Sequence, residues 1–219
     1  MSDEMRPYVV RQGDYLAKLA WLHGFDVDEV WTHPSNAALS ALRKDHNILA
    51  PGDVIYLPVK RREWLPIQKG QTNRFVAKVP KVDVNVVFQD RDGKPLANEP
   101  CELEGLAGTG AETMPDKTDG DGKLELKLPV SVRELVIRFP RINVAFWLRP
   151  GEMDPLDETA GIRKRLHHLG YGDERLLRQV DDAALLSEAV EEFQRASGAP
   201  DTGSLDDETK VNLAKIHSV

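Results

Sequence analysis

"GAPDTGSLDDET", residues 198–209, is a sharp corner followed by a helix start. Gly198 suits the position just past a helix, Pro200 stiffens the turn, Thr202-Gly203 reverses the chain, and Asp206 suits an N-cap. Asp207 and Glu208 favour the positive N-terminal end of the helix that follows. Upstream, Leu185, Leu186, Ala189, Val190 and Phe193 recur at helical spacing. Downstream, Leu213 and Ile216 continue the apolar stripe, with Leu205 just before the cap. Ile162, Leu166 and Leu169 mark an earlier helix, closed by Gly170. The spacing predicts three short helices around one small core, over residues 153–219. Physical chemistry alone makes the corner a scaffold that sets the angle between the last two helices. Gly203 is expected to hold a backbone conformation open mainly to glycine.

Ahead of this segment the period changes. "VDVNVVF", "KLELKLP", "ELVIRF" and "NVAFWL", with the shorter "FVAKV" and "PCELEGL", are strand-like runs, several in strict alternation. "DRDGK" and "DGDGK" supply Asp-Gly turns. Many short strands at close spacing predict a β-sandwich, of immunoglobulin-like type, over 72–150.

The first segment, 6–60, reads β-α-α-β. "YVV" is a β-branched start, Gly13 turns the chain, and Asp14 is expected to cap a helix carrying Leu16, Leu19, Ala20 and Trp21. Gly24 ends that helix. A second helix spans Asp26 to Trp31, is interrupted at Pro34, and resumes from Asn36 to Arg43. "LAPGDVIYLP" closes the segment with a Pro-Gly turn and a strand, which can pair with the first strand and leave both helices on one face. Residues 61–71 are charged, hold a Pro and a Gly, lack periodicity, and read as a linker. The fold class expected is α+β and modular.

Composition bounds the function. The chain has 219 residues, 41% of them hydrophobic, and a formal net charge of −7. That suffices for packed cores, and its acidity argues against a broad nucleic-acid footprint. No run approaches the length of a membrane helix, so membrane insertion is not expected. The start "MSDEMRPYVV" is charged at once and carries no secretory signal pattern, so a cytoplasmic location is expected. Cys101 is the single cysteine. It sits in a strand-like run and reads as a buried, inert thiol.

The third segment, with "LDETAGIRKRLHHLGY", "AVEEFQ" and "DTGSLDDET", resembles the three-helix peptidoglycan-binding domain that accompanies many cell-wall hydrolases. In that family the domain binds murein and has no catalytic residues of its own. The resemblance permits Asp201 and Thr202 to belong to a ligand groove. "GYGDERLLRQVDDA" departs from the short loop usual between the first two helices. The first segment, with "YVVRQGDYLAKLAWLHG" and "NILAPGDVIYLP", resembles a LysM domain, a module that recognises N-acetylglucosamine chains. Carried over, the sugar-binding loops are Gly13, Asp14, Tyr15 and Leu16, and Asn47, Ile48, Leu49, Ala50 and Pro51. Tyr15 stands where the family commonly has Thr, and "WTHPSNAALSALRKDHN" is longer than usual. The longer form, with the middle segment, resembles proteins found beside type VI secretion spike components in Gram-negative bacteria. The implied partners are peptidoglycan or spike and effector proteins, and a contractile machine would supply a route outward.

No catalytic constellation is found. "TDGDGK" lacks the third ligand of a calcium loop, where Lys123 stands, and reads as a hairpin turn. His167 and His168 are adjacent, so on a helix they diverge and do not suit one metal. Glu191 and Glu192 diverge likewise. No metal or other cofactor is expected. Among the tryptophans, Trp21 and Trp147 are expected to pack, whereas Trp31 and Trp64 suit exposed contacts. Three functions follow: a non-catalytic murein-binding adaptor, a structural accessory of a contractile apparatus, and, least favoured by the residues, an enzyme.

Overall fold

The computed structural model describes residues 4–59, 66–74, 79–90, 93–109 and 114–217. The chain is mixed α+β, and its buried apolar residues form three separate clusters. "FVAKV" and "DRDGK" fall partly, and Trp64 wholly, outside the described residues. No helix among those described is long and apolar enough to cross a membrane.

In the first region, strand β1 (Met5–Val9) pairs antiparallel with β2 (Val54–Pro58), with Val9 opposite Val54. Between them run α1 (Leu16–His23), α2 (Val27–Trp31), a 3-10 turn at Pro34–Asn36, and α3 (Ala37–Leu42). Leu16, Leu19, Val30, Ile55 and Leu57 fill the core between ribbon and helices. Asn36, 1% exposed, ties the two layers together. Its amide nitrogen donates to the carbonyls of Val30 and Tyr56, and its oxygen accepts from the Tyr56 N–H. Those bonds satisfy backbone groups that burial would otherwise leave costly.

In the middle region, β3 (Lys81–Val87) pairs with β5 (Lys123–Pro129), and β4 (Glu102–Glu104), β6 (Leu135–Phe139) and β7 (Val144–Leu148) form a second antiparallel sheet in the order β4-β6-β7. Alternation sends Leu124, Leu126 and Leu128 of one sheet and Leu135, Ile137 and Phe139 of the other into one shared core. Cys101 lies in it, and burial pushes its thiol pKa up. Asp119 accepts from the N–H groups of Asp121 and Lys123, so "DGDGK" forms an Asx-type turn.

The third region holds α4 (Thr159–His168), α5 (Glu174–Arg178), α6 (Ala183–Ser197) and α7 (Asp207–Ile216). The short α5 lies within "GYGDERLLRQVDDA", so the region has four helices where the spacing predicts three. It is capped by Asp173 and buries Leu176 in the helical core. Five residues are too few for an apolar period to declare itself. Buried Arg163 pins this insertion to α4, donating to the carbonyls of Leu176, Gln179 and Asp182. Gly198, with φ +74°, ends α6, and Asp206 caps α7 by accepting from the Thr209 N–H at 2.7 Å.

Candidate functional site

The two loops carried over from the LysM resemblance lie side by side. The Leu16 N–H donates to the His46 carbonyl at 3.1 Å, and Asn47 Oδ1 accepts from the Ala17 N–H at 3.1 Å. Asn47 therefore caps α1 from thirty residues away in the chain. Asp14, expected as that cap, does something else. Its carboxylate accepts from the Tyr8 hydroxyl at 2.7 Å and from the Arg11 N–H, while the extended residue Tyr15 occupies the N-cap position with no side-chain bond. The Tyr8 hydroxyl is pushed up to about 12 by burial and by this carboxylate. Asp14, Tyr15, Leu16, Leu49 and Ala50 are buried, Gly13, Asn47 and Ile48 are partly buried, and Pro51 is exposed.

Tyr15 reaches out of its own region. It is 3% exposed, and its hydroxyl donates to the Val130 carbonyl at 3.4 Å. Burial pushes that hydroxyl up to about 12. Gly151 lies over the ring: φ there is +82°, and a Cβ would stand 2.4 Å from Tyr15 Cδ1. Only glycine fits that position. Gln12 donates to the Glu152 carbonyl beside it. A few residues on, Arg43, 4% exposed, binds Asp53 through two 2.9 Å bonds and reaches Asp157 at 2.6 Å and Glu158 at 2.7 Å. The Asp53 bonds, more than the other two carboxylates, push the guanidinium above its usual range against the opposing effect of burial. The segment 149–158 and Val130 thus form a junction with the first region, and they cover one of the predicted loops.

The corner at 198–209 is organised from inside by Gln194, 1% exposed. Its oxygen accepts from the Gly203 N–H at 2.9 Å, and its nitrogen donates to the Ser204 carbonyl at 3.0 Å and the Thr209 hydroxyl at 2.8 Å. Gly203 has φ +67°, as expected, and a Cβ there would press on Ser187 and Glu191 of α6. Asp201 and Thr202 face outward. Asp201 pairs with Arg195 at 3.3 Å, and the Thr202 hydroxyl accepts from the Ser204 N–H and, at 3.4 Å, from the Gln194 amide nitrogen.

On an adjoining face of α6 a cleft of about 310 Å³ opens toward α5. Its floor is Leu176, Leu185 and Ala189, and its rim carries Glu188 and Glu192, one helical turn apart and both exposed. Arg175 on the opposite rim is held by Asp173 at 2.9 Å. An aliphatic floor with two carboxylates above it suits a peptide-like ligand bearing an amine better than an anion.

Other candidates resolve as follows. Among the described residues no group of three or more His, Cys, Asp or Glu is placed to hold a metal ion. His168 turns away from His167 and meets His217, Nδ1 to Nε2 at 3.1 Å. Ring centroids 5.3 Å apart at an interplanar angle of 27° place the rings nearly edge to edge. That is the geometry of an N–H···N bond, which needs one neutral acceptor ring. Of the tryptophans, Trp31 is half-buried against the first core beside His46. Trp21 is 39% exposed, and Trp147, expected to pack, is 64% exposed. Strand alternation explains the last: Phe146 takes the inward position, so its neighbour faces solvent.

Gln194, Asn36 and Arg43 organise these features. In the sequence Asn36 and Arg43 mark only the limits of a helix, and Gln194 stands only within "AVEEFQ", carried by resemblance. A buried polar residue carries no periodic signature of its own. No protein family matches the chain, and no curated protein or solved structure does either.

Proposed function

We propose that this chain is a non-catalytic adaptor that engages peptidoglycan, with its third region as the binding module. In this reading 6–60 is a LysM-like module, 61–71 a linker, 72–150 a sandwich module and 153–219 a peptidoglycan-binding-like module. The observation that carries it is the open cleft between α5 and α6, in the region whose sequence resembles murein-binding domains. The test is sedimentation with insoluble peptidoglycan. The chain pellets and releases no soluble fragments; time-dependent clearing of the suspension would refute the non-catalytic reading.

A second reading makes the chain a structural accessory of a contractile injection apparatus of the type VI kind, with protein partners in place of murein. It is favoured by the covering of Tyr15 by Val130 and Gly151, since a loop used for contacts within the chain is not free for sugar. Failure to pellet, with binding to a purified spike protein, selects it.

A further inference from the structure

We infer that the outer face of the β4-β6-β7 sheet is a glycan-stacking platform centred on Trp147. Phe146 lies on the inner side of the sheet, opposite buried Ile137, at the edge of the core: it is 39% exposed, with its ring centroid 5.0 Å from that of Phe88 and 6.0 Å from that of Phe139. Trp147 therefore projects from the opposite face, where it is 64% exposed. Register places Glu104, Val136 and Trp147 in one row across the three strands, and Glu102, Arg138 and Ala145 in the next. Arg138 lies diagonal to the indole and holds Glu104 through Nε at 3.0 Å. Its Nη1 donates to no acceptor among the described residues.

The composition of this face selects its occupant. A protein-docking patch has a broad apolar centre with a polar rim around it. Here one exposed indole stands beside half-buried Val136 and small Ala145, with Glu102, Glu104 and Arg138 around them. A pyranose ring matches that pattern: one flat C–H face of about the same size, edged by hydroxyls. The C–H face stacks on the electron-rich indole, and the hydroxyls meet Arg138 and Glu104. The inference rests on the reading that the chain engages peptidoglycan, and it adds a contact to the sugar backbone in the middle region.

The test titrates the full chain with the hexamer of N-acetylglucosamine, followed by tryptophan fluorescence and calorimetry, alongside sedimentation with insoluble peptidoglycan. Trp147→Ala should weaken hexamer binding at least about fivefold, the size expected for losing one aromatic stack. Trp147→Phe should retain most of it, and Arg138→Gln should weaken it without moving Tm, since both side chains are exposed. No hexamer binding by the wild type, or equal binding by Trp147→Ala, overturns the platform. If that occurs while murein still pellets the chain, the proposed function stands without it. If hexamer binding depends on Trp147 but murein pellets nothing, the platform stands and the murein reading fails. Self-association abolished by Trp147→Ala, with no hexamer binding, makes the face a protein contact and overturns the glycan assignment.

Discussion

The first and third regions each present a polar turn leading into a helix, and they use it in opposite ways. At 13–16 the loop's own side chains are spent inside the protein. Asp14 answers Tyr8 and Arg11, Tyr15 lies under Gly151, and Asn47 from the neighbouring loop caps α1. At 198–209 a helix side chain, Gln194, satisfies the backbone of the turn and leaves Asp201 exposed, with Thr202 exposed but its hydroxyl held loosely by Gln194 at 3.4 Å. A turn offers its side chains for recognition when its backbone is satisfied from elsewhere. Resemblance of sequence does not reveal which of the two arrangements a chain adopts, because the deciding partners lie far away along it.

The strongest way to break the contrast is to open the first loop. Arg43→Met removes the cation that Asp53, Asp157 and Glu158 share, and leaves Asp53 largely buried without its partner. Loss of one member of a buried pair costs about 3–5 kcal/mol. Denaturant unfolding should show a loss of that order. Limited proteolysis should find new cleavage within 149–158. An unchanged midpoint would mean that the junction does not hold the regions together.

Next in size is Gln194→Leu. It fills the same space but leaves the Gly203 N–H without its acceptor and the buried Thr209 hydroxyl without its donor, while the Ser204 carbonyl keeps the Asp206 N–H, a loss of about 1–3 kcal/mol. The expected result is a lower midpoint together with weaker murein binding, since the corner and α6 deform together. Loss of stability with full binding would separate the corner from the ligand site.

Much of the framework was legible from periodicity and turn chemistry. Alternation announced β3, β5, β6 and β7, and the 3.6-residue stripe announced α1, α4, α6 and α7. Gly198, Gly203 and Asp206 behave as their chemistry requires. The candidate site was less legible. Asn47, and not Asp14, caps α1, because helix capping by a distant side chain leaves no local trace. Trp147 was misjudged by its neighbour: "FWL" looks uniformly apolar, yet a strand sends alternate residues to opposite faces. Arg43 ends a helix, a position usual for an exposed cation, and its burial depends on partners distant in the chain, Asp53, Asp157 and Glu158.

Acid provides a smaller perturbation, confined to the third region. Burial is the largest cause pushing His168 down to about 4 from 6.5, helped by the positive fields of His217, His167, Arg165 and Lys164. Burial lowers His217 as well. A histidine with a lowered folded pKa takes its proton first in the unfolded chain, so stability is complete above about 6.5 and declines as pH falls toward about 4. His168 keeps much of its surface open to water, which screens the effect, so the decline should be shallow. His168→Phe should flatten the slope of Tm against pH in this window. A slope unchanged by the substitution would show that the two rings do not share a proton.

The smallest expected effect on stability decides most about function. Asp201 is more than half exposed, and its ion pair with Arg195 at 3.3 Å is of the surface kind, worth about 0–1 kcal/mol. Asp201→Ala and Thr202→Ala should therefore leave Tm nearly unchanged, because Gln194 still holds the backbone of the turn. If the corner only sets the angle between α6 and α7, murein sedimentation should be unchanged too, and binding should respond instead to Glu188→Gln and Glu192→Gln in the cleft. If Asp201→Ala or Thr202→Ala keeps its Tm but loses sedimentation, the outward side chains of the corner are themselves the contact surface. The binding site would then lie across the α6 ridge from the cleft, on the face that Gln194 leaves free.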